Sequence, residues 1–91
     1  MALLDDAAVS RGLASLTGWS RDGRAVRKEY EFRTFADAIG FVNRVADLAE
    51  AADHHPDIDI RYRRVTLVLS THSAGGITEK DLALAKQIDA G

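Results

Sequence analysis

Val26-Arg27-Lys28-Glu29-Tyr30-Glu31-Phe32-Arg33-Thr34-Phe35-Ala36-Asp37-Ala38-Ile39 changes its apolar period half-way along. Up to Phe32 the chain alternates, with Val26, Lys28, Tyr30 and Phe32 on one side and Arg27, Glu29, Glu31 and Arg33 on the other. A period of two belongs to a strand, and the wholly charged set marks the face that meets water. From Thr34 the period lengthens to that of a helix. Thr34 and Asp37 have capping-box-like spacing, and Phe35, Ala38, Ile39, Val42, Val45, Ala46 and Ala49 make one stripe expected to be buried, widened by Phe41 and Leu48. This helix must end near Asp53, because Pro56 pushes His55 into an extended conformation.

The flanks complete the pattern. Upstream, Asp22-Gly23 predicts a tight two-residue hairpin back to a short strand that begins at Trp19. Before it, Asp5 or Asp6 caps a first helix with Val9, Leu13 and Leu16 inward; Gly12 weakens it and Thr17-Gly18 ends it. Downstream, Ile58, Ile60 and Tyr62 alternate with Asp59, Arg61 and Arg63, and Val65, Leu67 and Leu69 alternate with Thr66, Val68 and Ser70, giving two more strands joined by a short link. Ser73-Ala74-Gly75-Gly76 reads as a flexible loop. Thr78-x-x-Asp81 opens a last helix, stapled by Ile77 and Leu82, with Leu82, Ala85 and Ile88 inward. The order is α-β-β-α-β-β-α. The expected fold is α+β: one domain over residues 1–91, in two layers, with three helices on one face of a four-stranded antiparallel sheet. The other sheet face is left polar or open to a partner.

Composition excludes several functions. Twelve basic and fourteen acidic side chains leave a formal charge of −2, which argues against nucleic acid as a direct ligand. No apolar run reaches the roughly 18 residues of a membrane span. Met1-Ala2-Leu3-Leu4-Asp5-Asp6 lacks the basic and apolar regions of a secretory signal. With no cysteine, disulfides and thiolate metal sites are impossible, and a cytoplasmic location is expected. A domain of 91 residues buries only roughly 60–65% of its unfolded surface, so association with further copies would help it.

The chemistry gathers in one region. All three histidines lie between Glu50 and His72, two of them in Glu50-Ala51-Ala52-Asp53-His54-His55-Pro56. Imidazole titrates near neutrality, so histidine is the natural proton donor and acceptor there. A polar loop after a helix would account for the pair without chemistry. A zinc site is disfavoured, since adjacent residues of an extended segment point to opposite sides. General acid–base catalysis is the remaining reading, with Glu50 or Asp53 able to fix an imidazole tautomer. Ser70, Thr71 and Ser73 flank His72 without the elbow of a nucleophilic serine, and Gly75-Gly76 lacks the spacing of a phosphate loop. Asp81 has a purely structural explanation as the third helical residue of a capping box. Arg61, Arg63 and Arg64 read as a solvated strand face.

The set Glu50, His54-His55-Pro56, Tyr62, His72 and Asp81 resembles the motif of the pterin-4a-carbinolamine dehydratases. Gly18-Trp19, Tyr30-Glu31-Phe32, the Phe35–Asn43 helix start and Leu69-Ser70-Thr71-His72 extend the likeness from about Leu13 to the end. The family usually has an aromatic where Ile58 stands, and often a cysteine in place of Ala74. The resemblance implies an α+β domain that dehydrates 4a-hydroxytetrahydrobiopterin to quinonoid dihydrobiopterin during tetrahydrobiopterin recycling, with no cofactor and no metal. It implies that His54, His55 and His72 are catalytic, with His54 and His72 moving protons and His55 mainly an anchor. Pro56, Thr71, Ser73 and Ala74 would join the histidines in binding the pterin, and Glu50, Asp53 and Asp81 would support them. It also implies a homodimer or homotetramer, and a second role seen in relatives, as a dimerisation cofactor or regulatory module for a transcription factor or an aromatic amino-acid hydroxylase.

Overall fold

A computed structural model describes residues 2–91, so that only Met1 lies outside it. The elements run α1 (Asp6–Ala14), β1 (Ser20–Asp22), β2 (Ala25–Glu31), α2 (Phe35–Ala52), β3 (Asp57–Arg61), β4 (Arg64–Leu69), a 3₁₀ turn (His72–Ala74) and α3 (Glu79–Ala90). The expected order and α+β class hold. The sheet is antiparallel throughout, with spatial order β1-β2-β4-β3.

The register sets what lies under the helices. Val26 is opposite Leu69, Lys28 opposite Leu67 and Tyr30 opposite Val65, so these residues share one sheet face. Val26, Val65, Leu67 and Leu69 are fully buried, in one cluster with Val9 of α1, Ala38 and Val45 of α2 and Leu82, Leu84, Ala85 and Ile88 of α3. All three helices therefore cover the same face. The other carries the charged row of β2, including an ion pair of Arg64 with Glu31 at 3.4 Å. No helix among the described residues is long and apolar enough to cross a membrane.

Local chemistry explains the helix ends. Asp5 Oδ1 accepts the Ala8 N–H at 2.8 Å and caps α1. Thr34 Oγ1 accepts the Asp37 N–H at 3.0 Å and caps α2. At the far end of α2 Asp53 turns into the left-handed region, at φ 49°, and the His54 N–H reaches back to the Ala49 carbonyl at 3.0 Å. That six-to-one bond is a Schellman closure, made here without glycine. Gly12 has a packing reason: a Cβ there would strike Leu82 Cδ1, so its absence lets α1 lie close on α3.

Several expectations need correction. The first helix ends at Ala14, and Leu16 is buried beyond it in a turn. The first hairpin pairs Asp22 with Ala25, so its two turn residues are Gly23-Arg24 rather than Asp22-Gly23. Only Gly23, at φ 62°, has positive φ, which is the II′ arrangement with glycine at the first central position. Phe35 is 50% exposed, and Ala46 is exposed too, because α2 meets the sheet along Ala38, Val45 and Ala49 and the stripe is narrower than its apolar composition suggests. Ile58 and Ile60 point to the helical side but lie on edge strand β3, past the reach of the helices, and stay exposed. The Ser73–Gly76 segment is an ordered turn, closed by a bridge between Thr71 and Gly76.

One further cluster locks the last helix. Asp89 near its C-terminus accepts bonds from Trp19 Nε1 at 2.8 Å, Lys28 Nζ at 3.1 Å and the Tyr30 hydroxyl at 2.6 Å. Burial raises the Asp89 carboxyl, but the Tyr30, Lys28 and Trp19 donors outweigh it and hold the group below its ordinary 3.8. Burial first, and the Asp89 carboxylate second, push the Tyr30 phenol well above the usual range. A lowered carboxylate stabilises the fold fully above the unfolded value and loses that effect as pH falls through the folded one. Asp89→Asn is therefore expected to cost about 1–3 kcal/mol at neutral pH, in proportion to the charge-assisted bonds lost. The gap to the wild type should close as pH falls below 3.8, and denaturant unfolding at both pH values measures it.

Candidate active site

Asp81, on the first turn of α3, has no exposed surface, yet its carboxylate is fully partnered. Oδ1 lies 2.6 Å from His54 Nε2. Oδ2 accepts the Thr71 hydroxyl at 2.9 Å and the Thr78 peptide N–H at 2.9 Å. The second of these bonds is half of a capping box, so the structural account of Asp81 is correct but incomplete. A buried carboxylate without such donors would be strongly disfavoured.

Three segments meet at this oxygen pair. The Schellman turn at Asp53 sends His54 inward. Strand β4 runs on past Leu69 to Thr71, buried and bridged to Gly76. The β3–β4 register opposes Asp57 to Val68, and each step back toward His54 is matched by a step forward toward Thr71. His54 and Thr71 thus arrive at the same level, where Asp81 bonds both.

His54 is 9% exposed and Nε2 makes its only side-chain hydrogen bond among the described residues. No buried side-chain nitrogen or oxygen there lacks a partner, so the second ring nitrogen, Nδ1, is open to solvent. His55 turns the other way. It is exposed, and its Nε2 lies 2.6 Å from Glu50 Oε2, one helical turn back on α2. His72 opens the 3₁₀ turn directly after Thr71, is exposed, and makes no side-chain hydrogen bond to another described residue. The structure therefore ties His54 to the Thr71 segment through Asp81 and gives His55 a separate carboxylate.

The other expected site residues differ in what they offer. Pro56 is half-buried and Ser73 exposed, both next to the histidines in the chain. Thr71 turns its hydroxyl inward to Asp81, and its peptide is bonded within the turn, the N–H to the Gly76 carbonyl at 2.8 Å and the carbonyl to the Ala74 and Gly75 N–H groups at 3.0 and 2.9 Å. Ala74 lines a cavity of about 420 Å³ with Arg21, Arg24 and Ile77. Asp53 makes its contribution through the backbone, as the left-handed cap. Sequence reasoning missed the buried Thr78 hydroxyl, 2.7 Å from Thr71 Oγ1. Its capping role was legible, but the contact with Thr71 was not.

The fold and the site together define a small two-layer α+β domain with a buried imidazole held on a carboxylate, a second imidazole on a surface carboxylate and a third exposed after Thr71. The profile of the pterin 4 alpha carbinolamine dehydratase family matches residues 2–91, and the chain belongs to that family. It is 60% identical over 88 residues to a provisionally named pterin-4-alpha-carbinolamine dehydratase of Roseiflexus castenholzii, covering 97% of this chain and 95% of that one. It is 58% identical over 89 residues to one of Mycobacteroides abscessus, covering 98% and 95%. Among solved structures it is similar to a transcriptional coactivator/pterin dehydratase from Brucella melitensis, with a TM-score of 0.91 at 38% identity over 96% of this chain and 95% of that one. It is also similar to a pterin dehydratase-like protein identified as a RuBisCO assembly factor in the alpha-carboxysome, with a TM-score of 0.68 at 26% identity, covering 80% and 87%.

The two carboxylate–histidine pairs differ in what their loss costs. Asp81→Ala leaves His54 Nε2 and the Thr78 N–H without their acceptor inside the protein. It is expected to cost about 3–5 kcal/mol in denaturant unfolding, the range for breaking a buried pair. Glu50→Ala, on the surface, is expected to change stability by no more than about 0.5 kcal/mol.

Proposed function

We propose that this protein dehydrates a 4a-hydroxytetrahydropterin, 4a-hydroxytetrahydrobiopterin being the expected member, to the quinonoid dihydropterin and water. The observation that carries the reading is the His54 ring, held on Asp81 by Nε2 with Nδ1 open, in a chain that belongs to the dehydratase family. The reaction breaks the C4a–O bond and the N5–H bond. One group must protonate the departing hydroxyl, another must take the N5 proton, and a C4a=N5 double bond forms. No electrons leave the substrate, so imidazoles are sufficient, each contributing ~10²–10⁴-fold.

His54 and His72 are assigned to the two proton transfers. His55, carrying its own carboxylate partner, anchors the pterin. Pro56 and the Thr71-His72-Ser73-Ala74 stretch form the lining, and Asp81, Glu50 and Asp53 support the rings or the turn that carries them. In this role the protein would return spent pterin to a form that can be reduced and used again. Stopped-flow absorbance of a 4a-hydroxytetrahydropterin is the test. Purified protein is expected to speed its decay, and His54→Ala and His72→Ala each to slow the catalysed rate by ~10²-fold or more. Decay no faster than in buffer overturns the reading.

A second reading, as an association module, has its own observation. Strand β3 is a sheet edge on which Ile58 and Ile60 are 37% and 39% exposed, and Tyr62 beside it is 70% exposed. Exposed apolar edges are sites of strand addition. We assign this edge to a second copy of the chain, as part of a dimer or a tetramer. Antiparallel pairing about Asp59 sets Ile58 against the other copy's Ile60 and Asp57 against the other copy's Arg61, with the two Asp59 carboxylates opposite each other. Each Asp59 already has its own Arg61 at 3.3 Å. Sedimentation should give a dimer or larger species, and Ile60→Lys should reduce it. A monomer at every concentration tested excludes the assignment. The Brucella relative's name as a transcriptional coactivator and the carboxysome relative's as an assembly factor support extending the same reading to a heterologous partner, and the family resemblance suggests a transcription factor or a hydroxylase.

A further inference from the structure

The Thr71 hydroxyl and the Thr78 peptide use none of their hydrogen-bonding capacity on solvent. Both are spent on Asp81 Oδ2, in the interior. A peptide N–H can only donate, so Oδ2 must accept. The Thr71 hydroxyl has one hydrogen, and it goes to Asp81 Oδ2. The 2.7 Å contact between the two hydroxyls is then made with the Thr78 hydrogen, while Thr78 Oγ1 accepts the Lys80 N–H at 3.2 Å. The chain of donors runs one way, from Thr78 to Thr71 to the carboxylate. Oδ2 is thus filled by two donors, and Oδ1 is the oxygen that faces His54. A carboxylate oxygen accepts, so His54 Nε2, 2.6 Å away, carries the hydrogen.

We infer that Thr71 is a positioning residue which, together with the Thr78 N–H, sets the polarity of Asp81 and so fixes the His54 ring as the Nε2–H tautomer with Nδ1 as its outward acceptor. The Thr71 hydroxyl acts through Asp81 and His54, whatever the rest of the residue contributes to the lining. A proton-transfer ring in two tautomers would be competent only part of the time. In the serine-protease triad a carboxylate performs the same task, and changing it to an amide installs the wrong tautomer. For turnover the inference rests on the dehydratase reading, but the tautomer is a property of the free protein.

Long-range ¹H–¹⁵N correlation spectra of labelled wild-type protein at about pH 8, above the ordinary histidine range, read that tautomer directly. His54 is expected to give a pyrrole-type Nε2 and a pyridine-type Nδ1; the reverse overturns the inference. In Asp81→Asn the two donors hold the amide oxygen on their own side and turn its NH₂ toward His54. The tautomer should then reverse to Nδ1–H, and survival of Nε2–H overturns the claim that those donors set the polarity. Thr71→Val should give averaged ring-nitrogen shifts and Thr71→Ser the wild-type pattern; a wild-type pattern in Thr71→Val removes Thr71 from the device. If the asparagine variant does not fold, the wild-type and Thr71 spectra decide. In turnover, Thr71→Val is expected to lower kcat about tenfold, a larger change than in KM and short of the ~10²-fold loss from deleting a proton-transfer group, with recovery in Thr71→Ser. A wild-type kcat in Thr71→Val counts against the inference. A wild-type protein that turns over no pterin yet shows a pure Nε2–H ring would end the dehydratase reading and leave the tautomer device standing.

Discussion

One buried carboxylate holds the site together. Asp81 begins α3 by capping it, takes the hydroxyl at the end of β4, and receives the imidazole that follows α2. Three segments distant in sequence are bound to two oxygen atoms 2.6 to 2.9 Å away. An unpaired charge at that depth would be far too costly to persist, so the three donors and the acceptor specify one another. The helix cap and the chemistry of His54 cannot be separated.

The other end of α3 repeats the device with different partners. Asp89 collects the indole of Trp19, the ammonium of Lys28 and the phenol of Tyr30, and the Arg44 guanidinium of α2 donates to the Ile88 carbonyl at 2.8 Å. Positive charge at a helix C-terminus is favourable for the same reason that carboxylates suit the N-terminus. A twelve-residue helix of little amphipathic strength is thus held at both ends by polar bonds and in the middle by Leu84, Ala85 and Ile88. In a domain too small for a large core, such bonds fix the element that carries Asp81.

The elements were legible because each rests on local physics. The period of two before Thr34 and of 3.6 after it needs no distant partner, and neither do the caps at Asp5, Thr34 and Thr78. The family motif in turn brought the three histidines, Glu50 and Asp81 into view together. What escaped depends on tertiary position. Ile58 and Ile60 alternate like any buried strand, but β3 is an edge, and no periodicity reports how far the helices reach. Phe35 sits on the apolar stripe of α2 and still lies outside the contact. The partners of Asp89 are as many as 70 residues away, and the Thr71–Thr78 contact crosses a turn that sequence alone describes as a flexible loop. The hairpin lies one residue further on than Asp22-Gly23 suggests, with Gly23, the residue of positive φ, in both turns.

The left-handed turn at Asp53 works as a gauge of spacing. Because it ends α2 at one residue and releases an extended chain at the next, it decides which of two identical rings enters the interior and which stays with Glu50. A single deletion just before His54 would put His55 in the inner place and leave Pro56 beside Glu50, and a single insertion there would send His54 to Glu50 and leave Asp81 without an imidazole. In this segment phase matters as much as residue identity, and drift in loop length would disable the site without altering any of its side chains.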